Sequence, residues 1–378
     1  MIYLSNYTDW PMGGMLSYVR NILPELCKKS NWEIDIWGAV KQGEKQTEFT
    51  INDEVYELKT YTTFRTEKKI VPNFIRSFFG VIKNRKQFYN YDVIYSHTSA
   101  TTIAMKLLFP HKCIIHHQHG LSYKKNKGIV KILNIGYTIA QILADATFFV
   151  ASEREVIKHK ESKNIFRKKH FYYIGSPIDY TVIHKQNKNV KKNDVARNYI
   201  YTGRIDAWKN IDLLVDSFAI YVKKYNNLAK LTIVGDGPQY EDTVKKIYEM
   251  KFQDKILLVG RKNHKELVEY LNNSDVFLFP TKGEGVSLSL LEAFAAGLPA
   301  VTFDVIGVND FVINGKTGII VNKMTSKDYA YGIYQIQSIY KQMIMECDMI
   351  ASEYDITKIT SKIIEIINNE KKYFDDME

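Results

Sequence analysis

The segment GEGVSLSLLEAF, residues 283–294, sets Glu284 and Glu292 eight apart, directly behind the apolar run DVFLFP. Ionised carboxylates only accept hydrogen bonds, and the vicinal hydroxyls of a sugar or a ribose are natural donors to them. Gly283 and Gly285 let the backbone approach a ligand, and a helix beginning near Ser287 would aim its free N–H groups at an anion. Glu284 then lies in the loop before that helix and Glu292 in its second turn. On residue types alone, the ordinary reading of a loop acid and a helix-surface acid stands beside this one. Two other turns also follow strand-like runs. Behind NYIYTG comes RIDAWKN, with Arg204 and Lys209 five apart before a helical segment. Two cations together with helix-end N–H groups can clamp a diphosphate. Behind KLTIV comes GDGPQYE, a glycine turn that turn chemistry alone also explains.

Such turns need rigid elements behind them. Short apolar runs alternate with amphipathic segments along the chain, the pattern of a parallel sheet covered on both faces. In the first half the expected strands are MIYLS, EIDIWG, YDVIYSH, KCIIHHQH and ATFFVAS; in the second they are NYIYTGR, KLTIVGDG, KILLVG, DVFLFP, PAVTFD and GIIV. With 378 residues the chain is too long for one ordinary core and suits two domains. The expected architecture is therefore α/β, two doubly wound Rossmann-like domains in tandem. Its parts are a first domain at 1–178, a polar linker at 179–198, a second domain at 199–355 and a terminal segment at 356–378. In that segment Ile356, Ile359, Ile363 and Ile366 recur at helical spacing. Ligands of doubly wound sheets bind beyond the carboxyl ends of the strands, so a cleft between two such edges is the expected place for a site.

Composition narrows the classes. The chain is 45% hydrophobic and 25% charged, without repeats or low-complexity tracts, as soluble globular proteins are. Its N-terminus lacks a basic stretch followed by an apolar core, so no export signal is read and the cytoplasm is the expected compartment. Cys27, Cys113 and Cys347 lie far apart and fit neither a disulfide framework nor zinc-ligand spacing. The most apolar window, ILNIGYTIAQILADATFFV, is broken by Asn134, Gln141 and Asp145 and reads as a helix followed by a strand rather than a membrane span. The net charge of +10 is concentrated: residues 1–177 hold 26 Lys and Arg against 15 Asp and Glu. Basic clusters mixed with aromatics, as in NFIRSFFGVIKNRKQF, suit an anionic bilayer surface or an acidic acceptor, although a merely solvated Lys-rich face carries the same statistics. No helix-turn-helix, finger or RNA-binding motif is present, so no nucleic-acid partner is expected.

Taken in order, GRIDAWKN, VGDGP, GEGVSLSLLEAFAAGLPAV and DVIGVNDFVINGKTG, from Tyr199 to about Val321, resemble the nucleotide-binding domain of the retaining GT-B glycosyltransferases of family 4, the glycosyl transferases group 1, with their glycogen-synthase-like relatives. In the first half PMGGMLSYV resembles that family's Gly-Gly loop, and HHQHG sits where its members present a histidine after a strand. The resemblance implies two domains facing each other across a cleft, the C-terminal helix packing back on the first domain, and transfer of a sugar from a nucleoside diphosphate sugar with retention of configuration. It implies a UDP-sugar donor and a lipid-linked or growing cell-surface glycan acceptor, as in capsule synthesis. A UDP-sugar epimerase of the same fold and a GDP-mannose-dependent mannosyltransferase are the alternatives.

It also implies residue roles. Arg204 and Lys209 would hold the diphosphate, Glu292 the ribose, and Glu284 the transferred sugar. Gly13, Gly14, Gly203, Gly235 and the backbone of Val286, Ser287 and Leu288 would line the donor site. His119, with His117 as second choice, would meet the sugar near its reacting carbon. No cofactor or metal is expected, because the two cations neutralise the leaving group, and peripheral contact with the inner face of the membrane is expected through the basic first domain. Val286 and Ser287 replace the aromatic and glycine common in the family, and Asp310 stands where the family has a glutamate.

Overall fold

The computed structural model describes residues 2–4, 14–41, 48–51, 54–57, 59–63, 73–119, 129–151, 153–187, 194–283, 287–305 and 307–377. The chain forms two compact units, Met1–Ser176 with Thr357–Glu378, and Pro177–Ile356. Each is an α/β unit built on a parallel sheet.

In the first unit the strands are β1 (Ile2–Leu4), β2 (Asp35–Lys41), β3 (Glu48–Ile51), β4 (Glu54–Glu57), β5 (Lys59–Thr63), β6 (Val93–Ser96), β7 (Cys113–Gln118), β8 (Ala146–Phe149) and β9 (His170–Tyr173). Seven of them form one sheet in the order β5-β2-β1-β6-β7-β8-β9, and β3 and β4 pair as a separate antiparallel hairpin. The five strands expected from apolar runs are all present. The sequence reading missed β5 and β9, which are the two edges, and the hairpin. A central strand is buried on both faces and reads as an apolar run, as VIYS and ATFF do; KTYTT and HFYY carry no such run. The window ILNIGYTIAQILADATFFV forms the helix Ile129–Leu143 followed by β8, and among the described residues no helix is long and apolar enough to cross a membrane.

The terminal helix Ile356–Asp375 buries Ile359, Ile363, Ile366 and Ile367 on one face, each contributing about 1.5–3 kcal/mol. Glu370, on the same helix and only 5% exposed, accepts hydrogen bonds from the Tyr172 hydroxyl and from His170 Nδ1, the latter at 2.8 Å. Lys29 Nζ donates to the Thr357 carbonyl at 3.2 Å, and the Lys362 ammonium lies 4.7 Å from the Tyr173 ring centre. These contacts tie the helix to the first unit.

The second unit holds β10 (Asn198–Thr202), β11 (Lys230–Val234), β12 (Ile256–Leu258), β13 (Val276–Phe279), β14 (Ala300–Phe303) and β15 (Gly318–Val321), in the order β12-β11-β10-β13-β14-β15. All six are parallel and all were expected. Its helices form two packed groups: Ile211–Lys224 lies against Ser326–Ile336, while Leu288–Ala295 lies against Tyr340–Ser352 and Tyr180–Asn187. The last of these differs from the expected linker at 179–198. Ile178 and Ile183 enter the core of the second unit, and Tyr180 donates to Asp348 at 2.9 Å, so the segment is anchored despite its polar composition.

Candidate active site

In both units the chemistry gathers where parallel strands end. Leaving β10, the second-unit chain turns at Gly203 and presents Arg204, Asp206, Trp208 and Lys209 before the helix Ile211–Lys224. Asp206 organises this turn: one carboxylate oxygen accepts from the Trp208 and Lys209 backbone N–H groups at 3.0 and 3.1 Å. Its other oxygen lies 3.3 Å from Arg204 Nε, leaving an exposed guanidinium. The Trp208 indole donates to the Gly283 carbonyl at 2.6 Å, and the Lys282 N–H donates to the Trp208 carbonyl at 3.0 Å. The turn bearing Lys209 is thereby tied to the loop that leads toward Glu284. The Lys209 ammonium sits 5.5 Å from the Phe279 ring centre, and its burial lowers its pKa to about 8 against the opposing pull of Asp206.

The helix Leu288–Ala295 begins as expected: Ser287 is its N-cap, its hydroxyl accepting from the Leu290 N–H at 3.4 Å. Glu292 follows in the second turn, half-buried. Desolvation pushes its carboxyl up to about 7, and among the described residues no side chain bonds or pairs with it. Glu284 and Val286 lie outside the described residues, as does Gly13, while Gly14 opens the helix Gly14–Lys29.

The GDGP turn has a packing role. A Cβ on Gly235, whose φ is +150°, would fall 1.8 Å from the Gly203 carbonyl oxygen, and one on Gly237 would fall 2.3 Å from that of Ile205. The two turns are laced by hydrogen bonds from Gly203 N–H to Val234, Ile205 N–H to Asp236 and Gln239 N–H to Ile205, at 2.9–3.1 Å. The glycines at 203 and 235 therefore fix the backbone that presents Arg204.

In the first unit His119 follows β7 directly and is half-buried. His117, two residues earlier, has no accessible surface, bonds through Nδ1 to the Tyr95 hydroxyl and stacks on His119. His116 is equally buried and bonds to the Thr102 hydroxyl at 2.9 Å. The sequence reading passed over His97. It stands one residue beyond β6, the strand paired with β7, as His119 stands one beyond β7. The signal was in the sequence: YSH and HHQH each place a histidine at the carboxyl end of a strand, and neighbouring parallel strands bring such ends together. Burial holds His119 neutral, its pKa lowered to about 3, and lowers those of His97 and His117 as well.

Residues 182–344 match the sequence family described as glycosyl transferases group 1, over the unit that carries Arg204, Lys209 and Glu292. The second unit is thus a glycosyl transferases group 1 domain, and the chain is a glycosyltransferase of the GT-B fold. Two curated relatives agree. An uncharacterized glycosyltransferase of Methanocaldococcus jannaschii is 24% identical across 89% of this chain and 88% of its own. The Escherichia coli UDP-Gal:alpha-D-GlcNAc-diphosphoundecaprenol alpha-1,3-galactosyltransferase is 26% identical across 76% of each. Among solved structures, Anabaena HepE in complex with UDP and glucose shares the fold with a TM-score of 0.70, at 15% identity, covering 97% of this glycosyltransferase and 98% of HepE.

Proposed function

We propose that this glycosyltransferase moves a sugar from a UDP-sugar to a lipid-linked or growing surface-glycan acceptor, with retention of configuration and without a metal. The observation that carries the reading is Glu292. A half-buried carboxylate that no side chain among the described residues pairs is disfavoured in its charged form, and two vicinal ribose hydroxyls would supply donors to it. Lys209 and Arg204 then neutralise the diphosphate as the bond to the sugar breaks, the electrostatic contribution that carries most of such a reaction. Glu284 takes hydroxyls of the transferred sugar, and His119, which burial holds neutral, offers a ring nitrogen to a sugar hydroxyl. The acceptor hydroxyl attacks the anomeric carbon from the face the diphosphate leaves; its proton passes to the departing phosphate oxygen, so no side chain serves as general base.

The relatives support this in kind, one acting on UDP-galactose and a diphosphoundecaprenol acceptor, another binding UDP and glucose. Contact with an anionic bilayer belongs to the same reading, resting on the basic first 177 residues.

The test is a panel of UDP- and GDP-sugars incubated with a membrane-extracted lipid-linked acceptor in EDTA, read by mass spectrometry and anomeric NMR. Transfer from one UDP-sugar with unchanged anomeric configuration is expected. Transfer only from a GDP-sugar, inversion, or dependence on added metal would each remove the corresponding part. Conversion of donor to its epimer without acceptor would replace transferase by epimerase.

A further inference from the structure

His97 Nδ1 lies 2.9 Å from His119 Nε2, and their rings are inclined by only 29° with centroids 5.2 Å apart. Below them His117 stacks on both, at 4.8 Å and 18° from His97 and at 4.6 Å and 13° from His119. The Tyr18 ring stands edge-on to His117 and His119, at 4.6 and 5.2 Å. His97 is 3% exposed, too deep to be a surface contact, yet its hydrogen bond runs to His119, the half-buried member of the cluster.

From this geometry we infer that His97 is a positioning residue for the transfer reaction: it fixes the ring and the tautomer of His119, so that His119 meets the substrate through Nδ1. A neutral imidazole carries one proton and one lone pair, and the bond to His97 commits Nε2. The state of Nδ1 is then complementary: if Nε2 accepts from His97, Nδ1 is the donor, and if Nε2 donates, Nδ1 is the acceptor. Stacking on His117 and the edge of Tyr18 block rotation of the ring out of this plane, so neither nitrogen is free to exchange places. The inference rests on the proposed role of His119 at the transferred sugar.

The experiment uses the full-length protein in three forms: wild type, His97→Phe and His97→Asn. Phe keeps a flat ring without Nδ1, whereas the Asn amide can occupy the position of Nδ1. With 15N-labelled histidine, wild type and His97→Asn should show one His119 tautomer, and His97→Phe a mixture of two. Transfer should fall roughly 10- to 100-fold in kcat for His97→Phe, by analogy with the loss of the partners that orient metal-binding histidines, with the donor KM little changed and activity largely recovered in His97→Asn. A single His119 tautomer in folded His97→Phe, or wild-type kcat in that variant, overturns the inference. If His97→Phe fails to fold, His97→Asn decides alone: a mixture of His119 tautomers in it overturns the inference, and a single one upholds it. Full activity in His119→Ala would instead remove the proposed role of His119, while the tautomer measurement would still report on the pair.

Discussion

Glu292 and Lys209 share a condition: each is held where burial disfavours its charged form. For Glu292 the carboxyl titrates near 7, and for Lys209 the ammonium near 8. Donor capture needs the carboxylate ionised and the ammonium protonated, so kcat/KM for the donor should trace a bell, falling below about 7 and above about 8. Lys209→Arg should move the alkaline limb upward, because guanidinium does not deprotonate in that range. Stability carries the opposite sign at Glu292. Its folded pKa is raised above the ordinary value of 4.5, so the fold binds more protons than the unfolded chain between about 4.5 and 7. The ligand-free protein should therefore lose stability as pH rises through that window. Glu292→Gln should raise the melting temperature at pH 8, leave it nearly unchanged at pH 4.5, and weaken UDP binding in calorimetry. A variant equally stable and equally tight would show that Glu292 is an ordinary helix residue.

The elements that position these groups depend on close backbone contacts and on buried polar anchors. Gly235→Ala places a Cβ 1.8 Å from the Gly203 carbonyl at a φ of +150°. It should cost the second unit about 1–3 kcal/mol or more and displace the Arg204 turn, read as a lower denaturation midpoint together with a weaker donor KM. In the first unit, Glu370→Ala leaves His170 and Tyr172 without their acceptor and should cost about 1–3 kcal/mol, with earlier amide exchange along Ile356–Asp375. How far the sequence exposed this architecture follows from burial. The central strands β6, β7, β8, β13 and β14 are buried along their whole length, runs that a linear pattern shows. The edges β5 and β9 lack that pattern, and the Tyr180–Asn187 helix looked like linker because only Ile178 and Ile183 reach the core. The turn carrying Arg204 and Lys209 and the helix start at Ser287 were legible because their spacing is local; the His97–His119 pair showed only as two strand-end histidines, because 22 residues separate partners that the β6–β7 register brings together.

At the scale of the molecule the charge is unevenly divided. The first 177 residues carry the positive excess, while the remainder is close to neutral. On the helix Asn73–Lys83, Ile75 and Phe79 are 42% and 48% exposed and share a face with Lys83. Cosedimentation with vesicles containing anionic lipid should be strong at low salt and lost at high salt, each engaged cation being worth about 1 kcal/mol. Ile75→Ser with Phe79→Ser should weaken it at every salt concentration; binding that ignores both salt and these substitutions would remove the membrane contact from the account. The donor chemistry is assigned to the second unit and does not depend on that contact. The most direct measurement is therefore turnover with the best donor in wild type, Lys209→Ala and Glu284→Ala. The account predicts that each substitution lowers kcat by about 100- to 1,000-fold, as loss of a group that stabilises developing charge or holds the reacting sugar does. Near-wild-type rates in both variants would contradict it.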